Sequence, residues 1–265
     1  MVDGLGTKNS QDEQAESSQP QQAPADSSGH TQIQNTDETG AVVEQFMLLD
    51  GVIDGKYETF RPDGSLETVS QFKMGLLDGW MHACGPDGKP RQSFQYANGV
   101  LEGVCLFRDE DGALIQKVPY KAGEIDGEVL TYDNDSIIIR TAYRKGKKHG
   151  PYVHYGEQGH PMVRGTHVNG KRQGLERAFE PDGRKIVDTH YVADKREGEM
   201  VMWKDDGKPR LRTQFKGDKK HGVELEYHEN SELKRKTFYE AGKPVGESLL
   251  YDEQGRQVKR HQHHH

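Results

Sequence analysis

Cysteine is nearly absent from this 265-residue chain, which carries only Cys84 and Cys105; no disulfide framework is readable and the redox compartment stays undecided. Long apolar runs are missing too. No stretch of about 18 apolar residues is available to span a bilayer as a helix, and no apolar segment follows Met1, so the chain as given is expected to lack a signal peptide. Hydrophobic residues make up 32% of the chain and the mean hydropathy is −0.96. Such a composition excludes a large single core and leaves either a largely unfolded chain or a thin fold. No GxSxG, Walker or HExxH motif occurs, and no nucleophile, base and orienting group are seen to converge. Neither enzymatic activity nor a cofactor is expected. The 13 histidines, among them His149, His154, His160, His167, His221 and His228, show no Cys/His spacing typical of zinc, so no metal site is expected. His261, His263, His264 and His265 read as a disordered end or a tag remnant.

Glycine and tyrosine, by contrast, are plentiful, at 31 and 11 residues. Disordered chains are poor in aromatics, which favours the thin fold. The net charge of −7 is uneven: residues 1–50 hold one lysine and nine acids, residues 51–126 hold 8 basic and 12 acidic residues, and residues 127–265 hold 27 basic and 22 acidic. The part after residue 50 is thus nearly neutral, unlike a nucleic-acid binder, and no nucleic-acid partner is expected. Residues 1–41 are rich in Gln, Ser, Asp, Glu and Pro and poor in large apolar groups. On composition they read as a disordered tether. They are similar to the linker behind the lipidated cysteine of a bacterial envelope lipoprotein, a likeness that implies a periplasmic or envelope location, with the cytoplasm as the alternative.

From Gly55 onward the chain repeats. Glycine recurs at Gly55, Gly79, Gly103, Gly127, Gly150, Gly174, Gly198, Gly222 and Gly246, a step of 24 residues broken once by 23. Five residues after each of these is usually an aromatic: Phe60, Tyr132, Tyr155, Phe179, Trp203, Tyr227 and Tyr251. Nine residues after each is a turn residue, as at Gly64, Gly88 and Gly112, with Ser136 and Ser231 as substitutes. A second aromatic file runs through Phe72, Tyr96, Tyr120, Tyr143, Tyr191, Phe215 and Tyr239, with His167 departing from it. A fixed period of this size marks a repeat architecture. Each unit holds two runs of β-branched and aromatic residues between Gly-containing turns, which predicts two short antiparallel strands per unit. The predicted fold is all-β: an elongated, twisted single-layer antiparallel meander of eight to nine 24-residue hairpin units over residues 42–258, followed by a loose end at 259–265. The two aromatic files are expected to form its thin core. Cys84 and Cys105 fall on opposite faces of strands separated by a third, which excludes a bridge between them.

The pattern Y-x-x-G-x-x-x-G-x-x-x-x-Y-x-x-x-G, as in YKAGEIDGEVLTYDND and YRKGKKHGPYVHYGEQG, resembles the MORN repeat, specifically the variant of the bacterial YwqK-like antitoxin family. The resemblance covers residues 46 to 258. It departs at His167, at Asp194 and Asp218 where glycine is usual, and in the 23-residue unit. It implies an antitoxin or immunity protein that binds and silences a cognate toxic effector, of the kind delivered by type VI and other secretion systems and aimed at membrane or envelope. It also implies an alternative: a scaffold for anionic phospholipid or for other proteins. The motif residues are structural, so no catalytic residue carries over.

Sequence variation inside the frame supplies the candidate site. Just before each register glycine the early units read Leu76-Leu77-Asp78, Val100-Leu101-Glu102 and Glu124-Ile125-Asp126, whereas later ones read Lys147-Lys148, Lys171-Arg172, Lys195-Arg196 and Lys219-Lys220. A meander places these pairs on one long edge, as a basic ladder of about 29 Å over four units. The hairpin aspartates Asp63, Asp87, Asp111, Asp182 and Asp206 fall on the opposite edge. One reading is a solvated edge that keeps the sheet soluble; the other is a docking edge for an acidic protein or an anionic membrane surface.

Overall fold

The computed structural model describes residues 20–263. From Gln21–Gln22 and Thr31–Thr36 to Gln257–Gln262, each strand pairs antiparallel with the next in sequence, giving one open meander. Of 24 strand segments, three (Val100–Leu101, Glu124–Ile125 and Lys171–Arg172) are interrupted by a bulge from the strand that follows, leaving 21 rungs among the described residues. No helix occurs among them, and strands pack only on their neighbours in the sheet, so the layer is single. Its accessible surface, 17429 Å², compares with about 11,700 Å² for a compact protein of 29.9 kDa.

Two turn chemistries alternate. One edge is made of two-residue turns with both φ positive, such as Met74-Gly75 at 50° and 80° and Ala193-Asp194 at 50° and 73°. This primed geometry matches the right-handed twist of the flanking strands. The other edge is made of three-residue loops: Arg61 N donates to Ser65 O at 2.9 Å, and Gly64, at φ 80°, supplies the left-handed residue. The 23-residue unit arises here, because Asn134 and Asp135, at φ 45° and 62°, make a two-residue turn where other units use three. At Glu229-Asn230-Ser231 it is Ser231 that takes positive φ (73°), and Asn230 Oδ1 accepts from Glu232 N at 3.0 Å.

The register glycines do not close the turns. Each sits in a bulge beyond the turn, at positive φ. Gly127 is the sharpest case: φ is 122°, and an added Cβ would lie 3.0 Å from Pro119 Cγ. L side chains are excluded there by their own backbone as well as by that neighbour.

The core differs from the expected pair of aromatic files. Cross-strand register puts the two files on opposite faces: Phe72 pairs with Gly55 and so shares a face with Tyr57 and Thr59, whereas Phe60, next to Thr59 and paired with Leu66 across a bulge, points to the other face. Tyr57 contacts Phe72, at 5.7 Å between ring centroids, on one face, whereas Phe179 meets Arg164 on the other. The most buried line is a row of mostly small side chains on the Tyr57 face, where Cys105 pairs with Val118, Met200 with Thr213 and Glu224 with Thr237. Among the described residues, Thr213 and Cys105 are fully buried. Where this row widens at Tyr152, its cross-strand partner shrinks to Gly165, whose absent Cβ leaves room for the ring. Both cysteines are free and buried.

The sheet extends beyond the limits that composition suggests. Within the expected tether, Thr31–Thr36 pairs with Val42–Leu49 and Ile33 is buried. The turn between them repeats the three-residue geometry, with Asp37 N to Ala41 O at 2.9 Å and Gly40 at φ 87°, one period before Gly64. Gln32 and Gln34 both donate to Gln45, so polar side chains form the cross-strand ladder. At the other end Gln257–Gln262 is a strand, and His263 N donates to Gly246 O at 2.9 Å. The tether over residues 1–19 and the loose end at 264–265 lie outside the described residues.

Gly127→Ala is expected to cost about 2 kcal/mol through forced positive φ, whereas Ala193→Gly, which relieves a strained turn, gains about 0.5 kcal/mol. Urea denaturation followed by circular dichroism measures both signs.

Candidate docking edge

The two-residue turns are stapled to one another. The second residue of each donates its amide to a carbonyl of the preceding unit: Gly99 N to Leu77 O at 2.7 Å, Asp194 N to Arg172 O at 3.1 Å, Gly242 N to Lys220 O at 2.8 Å. The first residue donates to a side chain just ahead of the previous register glycine: Met74 N to Asp54 at 2.9 Å, Asn98 N to Asp78 at 3.1 Å, Ala122 N to Glu102 at 2.7 Å, Lys145 N to Asp126 at 3.2 Å. The acids of the early units are therefore structural acceptors. In the next two units His149 Nδ1 takes over at 3.4 Å and Gln173 at 3.1 Å, without the negative charge, and in the unit after them an acid, Glu197, accepts again, from Gly217 N at 2.8 Å. The sign change along this edge is thus a change of acceptor only in the units of His149 and Gln173.

The structure splits the basic ladder into two kinds of residue. The second member of three pairs folds back on the aromatic file. Arg172 lies 3.9 Å from the Tyr191 ring and ion-pairs with Asp194 and Glu176; Arg196 lies 4.2 Å from Phe215 and pairs with Asp218; Lys220 lies 4.7 Å from Tyr239 and pairs with buried Glu224. Asp194 and Asp218 stand where glycine is usual, and each also accepts the arginine's own backbone amide, at 2.8 and 2.9 Å. Those departures are inter-unit clamps. The first members, Lys147, Lys171, Lys195 and Lys219, are exposed and make no ion pair among the described residues, and exposed Lys148 joins them. Lys243 continues the file.

At the same position the N-terminal units present Val52, Leu76 and Val100, exposed by 41%, 50% and 45%, with Met74 beside them at 69%. Sequence reading registered the apolar pairs but not which member faces solvent; the partners Ile53, Leu77 and Leu101 are half-buried. The edge therefore has an apolar half and a cationic half, joined at Glu124. An open cleft of about 480 Å³ lies at the junction, lined by Glu124, Arg144, Lys145, Lys147, His149 and Asn169. Among the described residues no three His, Cys, Asp or Glu side chains gather as metal ligands do.

His167, which interrupts the aromatic file, lies tilted against Tyr152 with ring centroids 4.5 Å apart, and its Nδ1 is buried without a partner. Burial, with Lys148 nearby, holds its pKa below the ordinary 6.5. Burial and a hydrogen bond to Glu176 raise the Tyr152 hydroxyl, so that it stays a donor.

The family described as MORN repeat variant matches residues 101–122 and 220–241. The two matches begin 119 residues apart, four steps of 24 and one of 23, so they fall in the same frame as the structural units. The chain carries MORN-type repeats, and the protein is supported as a MORN-repeat protein. No curated protein matches it. A crystal structure of TcdB2-TccC3-Cdc42 aligns with 86% of this chain and 16% of the other, at 11% identity and TM-score 0.20, too low to carry an argument. The chain thus spans about a sixth of that molecule's length.

Two outcomes are expected. Arg196→Ala loses about 1–2 kcal/mol of stability through its ring and carboxylate contacts, whereas Lys195→Ala stays within about 0.5 kcal/mol of wild type; paired denaturation curves decide this. Because the His167 pKa is depressed in the fold, the unfolded chain binds more protons, and its contribution to stability, present above pH 6.5, is lost as pH falls through the lower folded value. His167→Phe should flatten the acid side of the stability profile measured by thermal melting.

Proposed function

We propose that this protein is a non-catalytic binding scaffold that neutralises a toxic effector, with an acidic surface of the effector docked on the cationic half of the two-residue-turn edge. The observation that carries this reading is the separation of roles within each basic pair: Arg172, Arg196 and Lys220 serve the fold, while Lys147, Lys171, Lys195 and Lys219 are exposed at one repeat position. Turns that needed charge only for solubility would not require one sign over four successive units. A linear array of like charge with repeat spacing raises association rates with an oppositely charged partner and makes them sensitive to salt. The apolar half at Val52, Met74, Leu76 and Val100 would supply the desolvated contact that charges alone do not. The acidic, Gln- and Ser-rich beginning of the chain fits an envelope linker, which would place the encounter on the periplasmic side.

A second reading has support from the same edge. Exposed aliphatic tips next to a lysine file are what an anionic bilayer surface accepts, the tips entering the interface and the lysines meeting headgroups at about 1 kcal/mol each.

Affinity capture from producing cells, with wild type beside the Lys147→Glu, Lys171→Glu, Lys195→Glu, Lys219→Glu variant, separates the readings. The neutralisation reading expects a stoichiometric effector with wild type and its loss with the variant, which keeps its melting temperature. Recovery of no protein, together with salt-sensitive co-sedimentation with phosphatidylglycerol vesicles, would replace it with the lipid reading.

A further inference from the structure

A stretch of each long edge carries charge opposite to a stretch of the other, at the same spacing. On the two-residue-turn edge, the four segments 144–149, 168–173, 192–197 and 216–221 hold 11 basic residues and 3 acidic ones. On the other edge, the three successive turns 109–113, 133–136 and 156–160 hold six acids, Asp109, Glu110, Asp111, Asp133, Asp135 and Glu157, and neither lysine nor arginine. Glu110, Asp111, Asp133, Asp135 and Glu157 are exposed and enter no ion pair among the described residues. Asp109, half-exposed, accepts the Ala113 amide at 2.8 Å, which closes its turn with the carboxylate in place.

The repeat makes these edges commensurate. Each unit contributes two strands, so equivalent turns on either edge recur about every 9.6 Å. The basic run, over four units, spans about 29 Å and the acidic run, over three, about 19 Å. Two copies of the chain laid side by side match charge to charge over the whole of the shorter run, and a shift by one unit restores the match. An unrelated acidic protein has no reason to share that spacing; a second copy shares it by construction.

We propose that the protein self-associates side by side, the cationic edge of one copy docking on the acidic turns 109–113, 133–136 and 156–160 of a second copy. The two edges lie on opposite sides of one sheet, so a two-fold dimer cannot satisfy both. The contact is head-to-tail and the assembly open-ended. Turn tips bury little area, so the association is weak and electrostatic, formed at low ionic strength and dispersed by salt. It occupies the lysines assigned above to an effector but does not depend on that assignment, since purified protein alone reports it.

Sedimentation velocity of the full chain tests this at about 10 mM and about 1 M salt, where the Debye lengths are about 30 and 3 Å. The expected result is a mass that rises with protein concentration at low salt, past twofold, and returns to monomer at high salt. A basic-edge variant (Lys147→Gln, Lys171→Gln, Lys195→Gln, Lys219→Gln) and an acidic-edge variant (Glu110→Gln, Asp111→Asn, Asp135→Asn, Glu157→Gln) should each be monomeric at low salt with unchanged circular dichroism. Mixed one to one, they retain one working edge apiece and should form dimers and nothing larger. A wild type that stays monomeric at low salt, single variants that associate as wild type does, or a mixture that stays monomeric would each overturn the proposal.

Discussion

The amide groups of the two-residue turns hold this sheet in register. A single-layer meander lacks a second layer to tell one unit where the next belongs, and each edge exposes backbone groups that need partners. Here the two amides of a turn reach back to the preceding unit, one to its backbone carbonyl and the other to a side chain ahead of its register glycine. Because every turn anchors to the one before it, stability accumulates unit by unit as a sum of neighbour terms. The bulge at each register glycine lets the strand resume after that contact, which is why the position demands positive φ.

This arrangement determines which charges are available for function. A residue that accepts a turn amide, such as Asp54, Asp78 or Glu102, is committed to the fold, as is a guanidinium laid on a tyrosine or phenylalanine ring. The remaining lysines project from the edge at one position per unit. The same logic gives the aliphatic residues of the N-terminal units their exposure: they occupy the lysine position, whereas their neighbours turn toward the aromatic file. The edge is thereby a surface whose chemistry can change from unit to unit while the frame beneath it stays constant.

With a thin line of small residues as core, the fold offers faces and edges instead of enclosed chambers. Binding along an edge uses what such a sheet has in abundance, repeated chemistry at fixed spacing. That property favours extended, charged partners, and it also lets copies of the chain recognise one another.

Much of this was legible in the sequence. Glycine, Asn and Asp occupy most of the positions where the backbone takes positive φ, so the period, the meander and the placement of the two sets of turns on opposite edges follow from residue identity and spacing. The position of the lysine ladder was legible for the same reason. Three matters were decided only in three dimensions. Strand parity, with bulges counted in, put the two aromatic files on opposite faces and moved the buried line to the row of Cys105, Val118 and Thr213. Pairing with a formed neighbour recruited Gln-rich residues 31–36 into the sheet, because a strand edge supplies hydrogen-bond partners that composition does not reveal. The division of each basic pair into a clamp and an exposed lysine depended on which side of the strand faces the next unit's ring. Local spacing encodes where the chain turns, but which side chains meet across the sheet is set by hydrogen-bond register, which exists only once the strands are paired.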